Sequence, residues 1–327
     1  MTAALLGVFL SATCLFAKDI RLALWHAQIS REGPGLLWRD LQKNDPSLAV
    51  LASAISAADA DIVVLTRFDF DAEGAALKEF ARLVDSGHQY DLPLSSNSGV
   101  PTGLDIDGDG RVGEPEDGQA FGRFPGQEAL AVLSRYPIAG NAVRSFNATL
   151  WRDVPGSHIT QSDTGHDVQR LSSGGHWIVP VDISEDGKAW RLSLLIGHAG
   201  APVFDGPEDR NGRRNLDELR LWGQIIDGLH GPAPNRAMVF MADTNLDPDR
   251  GDGFRDAMAA FLARGDLSDP LPGQITAEWE QPGPMRVSYL LPSKDLHIRA
   301  ARVWPVVPNQ SHRLITVDIT LPDVPLP

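Results

Sequence analysis

Short apolar runs and amphipathic stretches alternate along the chain from residue 20 to its end. Residues 20–25 (IRLALW), 61–65 (DIVVL), 129–133 (ALAVL), 177–181 (WIVPV), 191–196 (RLSLLI) and 237–241 (AMVFM) are short and apolar, which predicts strands. Residues 286–291 (RVSYLL) and 314–319 (LITVDI) read the same way. Between them, residues 48–58, 74–85, 216–229 and 254–264 place apolar side chains three and four apart, which predicts helices, with Asn215 as the N-cap of the third. No low-complexity linker or internal repeat interrupts the interleaving. One α/β domain is predicted, with two sheets packed on each other and helices outside.

The first residues break this pattern. Residues 5–16 (LLGVFLSATCLF) are too short to cross a bilayer and match the apolar core of a secretory leader. The expectation is a leader over residues 1–17, a secreted or periplasmic mature chain over 18–327, and no transmembrane span in that chain. The absence of Lys or Arg before the run, and Leu15 ahead of the cut, depart from the usual leader; a buried first strand is the alternative reading. The one cysteine, Cys14, lies in this stretch, so the mature chain would have no thiol chemistry.

The chain has 327 residues, 43% hydrophobic and 22% charged, enough for one large core. The net charge of −14 disfavours nucleic acid as a partner through the global field, leaving only a local basic patch to attract it.

Candidate chemistry sits at predicted strand ends. Asp243 and Asn245, two residues apart after the run 237–241, point to the same side. Taken alone, this pair reads as a turn. His198 ends another run, and His312 precedes the last one. A lone histidine is more often structural than catalytic; the shared strand-end placement is what links these three stretches. A separate motif, DIDGDGRVGEPE at 105–116, puts Asp at positions 1, 3 and 5, Gly110 at 6 and Glu116 at 12, the pattern of a calcium loop. Asp105, Asp107, Asp109 and Glu116 would bind through carboxylates and Arg111 through its carbonyl. The flanks predict no helix pair, so calcium there would be structural, pinning a long insertion.

The order of these segments resembles the endonuclease/exonuclease/phosphatase superfamily of DNase I-like fold. The resemblance runs through DIVVLTRFD (61–69), GQEALAVLSRYPI (126–138), GHAGAP (197–202), ADTNLDP (242–248), RVSYLLPS (286–293) and SHRL (311–314). The stretch 203–215 looks like a bacterial secreted branch. The resemblance implies a four-layered α/β sandwich, two mostly antiparallel sheets flanked by helices, whose loops meet at one phosphate-binding cleft. It implies that His198 supports the phosphoryl transition state, that Asp243 and Asn245 position water and phosphate, and that His312 is the second catalytic histidine. It also implies an Asn at His26, a metal-binding Glu at Arg67, an Asp orienting the second histidine at Ser288, and a metal-binding Asp at Ser311. These four differ.

The differences act together. Magnesium needs hard oxygen ligands, and two carboxylates are missing. Arg67 adds a fixed cation, free to pair with Asp243 or to hold phosphate in its guanidinium fork. With Ser288, His312 loses the acid that would set its tautomer. Arg170 and His176, beside Gly174 and Gly175, are placed at the cleft as phosphate-binding candidates. Arg210, Arg213 and Arg214 form a basic stretch that either meets a phosphate or pairs with Glu208, Asp209, Asp217 and Glu218. Three readings remain open. One is a hydrolase relative with lost or strongly reduced catalysis, holding a phosphorylated or anionic small molecule. Another is an active magnesium- or manganese-dependent phosphodiesterase, nuclease or phosphatase using Asp69, Asp71 or Glu128. The last is a calcium-stabilised interaction protein.

Overall fold

The computed structural model describes residues 18–185 and 187–322; the expected leader and Cys14 lie outside them. The strands are β1 (Lys18–His26), β2 (Ile62–Phe68), β3 (Tyr90–Leu94), β4 (Ala129–Ser134), β5 (Arg144–Ser145), β6 (Gly175–Glu185), β7 (Lys188–His198), β8 (Met238–Asp243), β9 (Ala277–Glu278), β10 (Pro284–Met285), β11 (Ser288–Pro292), β12 (His297–Val303) and β13 (Ile315–Leu321). The helices are α1 (Leu36–Gln42), α2 (Pro46–Ala58), α3 (Ala75–Val84), α4 (Arg210–Ile226) and α5 (Arg255–Leu262). Two mixed sheets form, in the orders β12-β13-β1-β2-β4-β3 and β11-β8-β7-β6-β5, beside a small β10-β9 pair. Each large sheet has one parallel pair, β1 with β2 and β7 with β8, and is otherwise antiparallel.

Side-chain alternation builds the layers. In β1, Ile20, Leu22 and Leu24 face inward and meet Leu192, Leu194 and Ile196 of β7, with Val239 and Met241 of β8, between the sheets. The intervening Ala23 and Trp25, with Val63 and Leu65 of β2, face the other way and are covered by α1, α2 and α3. On the far side, Leu195, Phe240 and Tyr289 pack under Leu219 and Trp222 of α4 and Met258 of α5. Every central strand is therefore buried on both faces, and the four-layered sandwich follows.

The sequence pattern missed β3, whose Pro93 suits an edge strand, and β12, an exposed edge with polar side chains alternating out. It also missed α1, only seven residues long. The third predicted helix starts earlier than its pattern. Helix α4 begins at Arg210, so Asn215 lies inside it and is no N-cap. Its buried amide donates instead to the carbonyls of Gly200 and Thr244, at 2.7 and 2.8 Å. The tie holds the loop after β7 against the loop after β8. Among the described residues, no helix is long and apolar enough to cross a membrane.

Candidate functional site

Strand register gathers the site. The two parallel pairs end side by side, with His26 opposite Thr66 and His198 opposite Asp243. Antiparallel β11 puts Ser288 across from the same Asp243. His312 arrives from the turn before β13, its carbonyl held by the Trp25 indole N–H at 3.1 Å.

Asp243 is fully buried at the centre. Its Oδ2 accepts from Ser288 Oγ at 2.6 Å and lies 3.2 Å from His312 Nδ1 and 3.8 Å from His26 Nδ1. The His26 ring centroid is 4.0 Å from that of His312 and 4.7 Å from that of His198. A hydrogen bond of 2.7 Å joins His26 Nδ1 to Thr66 Oγ1 and fixes the ring. Asn245 takes a left-handed backbone (φ 53°), and its side chain donates to the Ala199 carbonyl at 2.8 Å. The three histidines and Asn245 line a cavity of about 940 Å³, and Asp243 sits behind them.

Burial drives the His26 imidazole well below its ordinary range, and His312, His198 and Arg67 push the same way. His198 is also lowered, chiefly by burial, against the pull of Asp243 and Glu128. Burial acting alone would raise Asp243, but His312, His198 and the Ser288 hydroxyl together hold it below the usual carboxylate range. At neutral pH the site thus presents neutral imidazoles at His26 and His198 around a charged carboxylate.

Several expectations are corrected. Arg67 does not pair with Asp243. It sits at a bulge between β2 and β4 with φ 63°, which swings its guanidinium onto Glu128, itself at φ 50°. Both line the cavity. His312 does not lack an acid, because Asp243 stands where a residue-288 carboxylate was expected to serve. His26 joins the cluster. Ser311 stands outside the cavity lining and gives its carbonyl to the Glu278 N–H at 2.9 Å. Arg170 and His176 stand outside it too. Arg170 bonds Asn97 Oδ1 at 3.0 Å. His176 is buried between Ser172 Oγ and the Glu218 carbonyl and stacks on Trp222, and burial lowers it to about 4.

The basic stretch is held mostly by the scaffold; Arg210 and Arg214 also line the cavity, and of the expected acids only Glu218, beside Arg214, acts as a buried countercharge. Arg213 forks onto Asp163 at 2.8 and 2.9 Å, Arg210 reaches Gln169, and Arg214 binds backbone carbonyls. Asp69 accepts from Ser30 and from the Arg31 and Glu128 amides, while Asp71 accepts from the first amides of α3. Of the three substitute carboxylates considered, only Glu128 reaches the cavity.

In the acidic loop, three of the four carboxylates expected to bind calcium lie together. Carboxylate oxygens of Asp105, Asp107 and Asp109 lie within 4.8 Å of one another, and Asp105 accepts from the Gly108, Asp109 and Gly110 amides. The Arg111 side chain reaches Glu114 at 3.0 Å. Glu116 is not in this three-carboxylate group; it is exposed and lines the large cavity. The neighbouring Asp117, unremarked in the sequence, pins the loop by accepting from the Ile106, Gly113 and Glu114 amides.

Gly174, named in the sequence only as a neighbour of Arg170 and His176, packs directly on His198. A Cβ there would lie 2.5 Å from His198 Nδ1 and 2.7 Å from its Cβ. Gly174→Ala is therefore expected to destabilise the fold by ~1–3 kcal/mol through overpacking and to turn the His198 ring out of the cluster. Melting curves and the nitrogen chemical shifts of the His198 ring check this; an unshifted ring would show that the glycine does not set its position.

A sandwich of two such sheets, with histidines and an Asp-x-Asn pair gathered at strand ends, is the architecture of DNase I-like phosphoesterases. The chain belongs to the Endonuclease/Exonuclease/phosphatase family, whose profile matches residues 36–311. Its fold is similar to an endonuclease/exonuclease/phosphatase from Beutenbergia cavernae (18% identity, TM-score 0.58, covering 93% of this chain and 72% of that one). It is also similar to a family protein from Bacteroides thetaiotaomicron (12%, TM-score 0.54, 94% and 99%) and to sphingomyelinase C from Streptomyces griseocarneus (14%, TM-score 0.52, 93% and 100%). No curated protein sequence matches.

Family members are usually metal-dependent, so the donor set can be tested against magnesium. Magnesium takes near-octahedral oxygen coordination, normally with carboxylates and several waters. Here imidazoles surround one carboxylate already held by Ser288, and the other nearby acid, Glu128, is tied to Arg67. This nitrogen-rich set does not fit magnesium.

Proposed function

We propose that this chain is an exported member of the family in which magnesium-dependent phosphoester hydrolysis is lost or strongly reduced, while the cleft still binds a phosphorylated or otherwise anionic small molecule. The observation that carries this reading is the Arg67–Glu128 pair on the cavity wall, where the resemblance calls for a metal-binding acid. Tied to this guanidinium, Glu128 is not free to hold a hard divalent cation, and the N–H groups of Arg67 beyond that pair offer donors to phosphate oxygens. The serines at 288 and 311 remove two more carboxylates from the expected pattern. His198, Asn245 and His312 remain on the cavity wall as hydrogen-bonding groups for the anion.

The test is turnover of bis-(p-nitrophenyl) phosphate and plasmid DNA with Mg, Mn or Ca, beside calorimetry with inorganic phosphate, for the parent and His198→Ala. The expected result is no turnover above the variant, with phosphate binding that weakens in Arg67→Ala. Turnover that disappears in His198→Ala supports instead an active enzyme with a rearranged metal site, for which Glu128 is the available acid.

The acidic loop supports a structural calcium site. Adding calcium is expected to raise the melting temperature by a few °C, since a ligand at 100 times its dissociation constant contributes about 2.7 kcal/mol. Asp105→Asn is expected to abolish the shift. An undiminished shift in that variant would place the stabilising calcium elsewhere.

A further inference from the structure

His26, which the resemblance presents as a departure, sits in a group of potential ligand atoms at the cleft. His26, His198 and Asp243 each offer one such atom, and these lie within 4.8 Å of one another. Three observations bear on what that group is for. First, His312 is only 3% exposed and its Nδ1 stands 3.2 Å from Asp243 Oδ2, so it backs the carboxylate and adds no further ligand atom. Second, the buried His198 Nδ1 has no hydrogen-bond partner among the described residues. Buried polar atoms without partners are uncommon and costly unless something binds them. Third, the surroundings hold the group in place: Thr66 bonds His26, Ser288 bonds Asp243, and Gly174 leaves room for the His198 ring.

We propose that His26, His198 and Asp243 form a binding site for a zinc-class divalent cation. Its open position faces the cavity, and His312 stands beside the Asp243 ligand. Two imidazoles and a carboxylate suit zinc and its neighbours, which accept nitrogen donors in tetrahedral geometry, and suit magnesium poorly. Three protein ligands leave a fourth position, reached through the cavity that His26 and His198 line. The charge is consistent with this. Glu128 neutralises Arg67, leaving Asp243 as the negative charge next to the imidazoles, so the loaded site is net positive and attracts an anion to the open position. The inference rests on the proposed function in one respect, that magnesium does not hold the cleft, and it gives the bound anion a specific anchor.

The test uses the full mature chain stripped with a chelator and titrated with cobalt(II), whose visible d–d bands report nitrogen-containing tetrahedral coordination, and with zinc and magnesium by calorimetry. The expected result is one cobalt or zinc ion per chain with the tetrahedral spectrum and no comparable magnesium binding. His26→Asn and His198→Gln should each weaken zinc by at least ~100-fold. Glu73→Gln, exposed before α3 and outside both groups of potential ligands, should leave zinc affinity and the cobalt spectrum unchanged. Melting curves show whether each variant is folded, and either histidine variant suffices if the other is not. Absence of the tetrahedral spectrum, or folded His26→Asn and His198→Gln proteins that bind zinc like the parent, overturns the site. Magnesium-dependent turnover overturns the proposed function instead, so the two failures are distinguishable.

Discussion

Arg214→Met is expected to lower stability by about 3–5 kcal/mol, the largest loss anticipated from any single polar substitution in this chain. Arg214 is buried in α4, and its guanidinium donates to the carbonyls of Leu171, Gln119 and Arg170 at 2.9, 2.6 and 2.9 Å. One helical turn on, Glu218 is fully buried and accepts from the Ser173 and Gly200 amides at 2.5 and 2.8 Å. Burial lowers Arg214 to about 10 and raises Glu218 to about 7, each against the influence of the other. Both shifts follow desolvation, so mutual attraction offsets only part of the cost of burying the two charges. The two side chains instead secure backbone groups that no strand or helix satisfies, in the segments at 119, 170–173 and 200 that wall the cavity. Methionine matches the aliphatic stem but leaves three carbonyls without that donor and Glu218 without its countercharge. Arg214→Met/Glu218→Gln should recover part of the loss, with a coupling of ~0.5–3 kcal/mol in a double-mutant cycle by urea unfolding. Additive losses would mean that the two charges do not sense each other.

The legibility of this chain was uneven for identifiable reasons. The two-faced central strands were readable because short apolar runs such as 61–65 and 237–241 have few alternatives in a chain that also carries helical periodicity. The edge strands β3 and β12 were not, because an exposed edge carries proline and charge, which sequence patterns assign to loops. Asp243, Asn245, His198 and His312 were found through their strand-end positions, a property of sequence order. What stayed hidden depends on contacts across long separations. Nothing local to Arg67 points to Glu128, sixty-one residues away, because a bulge decides where the guanidinium goes. His26 stands where the resemblance implies an asparagine, and only the convergence of β1, β7 and the turn before β13 reveals that it packs against both His198 and His312. Asn215 was misread because an Asn before a periodic stretch is the usual N-cap signal; here the helix extends back past it and its amide serves two loops.

Replacing His26, Arg67, Ser288 and Ser311 together, as His26→Asn, Arg67→Glu, Ser288→Asp and Ser311→Asp, is expected to create magnesium-dependent cleavage of bis-(p-nitrophenyl) phosphate about 10²–10⁴ times faster than the parent, a general acid–base contribution alone being of that size. Single changes should not do this. Arg67→Glu by itself frees Glu128 from its partner and sets two carboxylates against each other, with only Asp243 added as an oxygen ligand. Ser288→Asp alone places a second buried carboxylate where the Ser288 hydroxyl now lies 2.6 Å from Asp243, replacing a hydrogen bond with like-charge repulsion. In the combination, a divalent ion absorbs the negative charge that makes each single change costly, so the four effects are strongly non-additive and stability should rise on adding magnesium. Steady-state rates, and melting curves with and without magnesium, measure both consequences. A folded quadruple variant that binds magnesium yet stays inert would show that these four residues are not what separates this cleft from a working hydrolase. A parent that already matches its rate would show that nothing was lost.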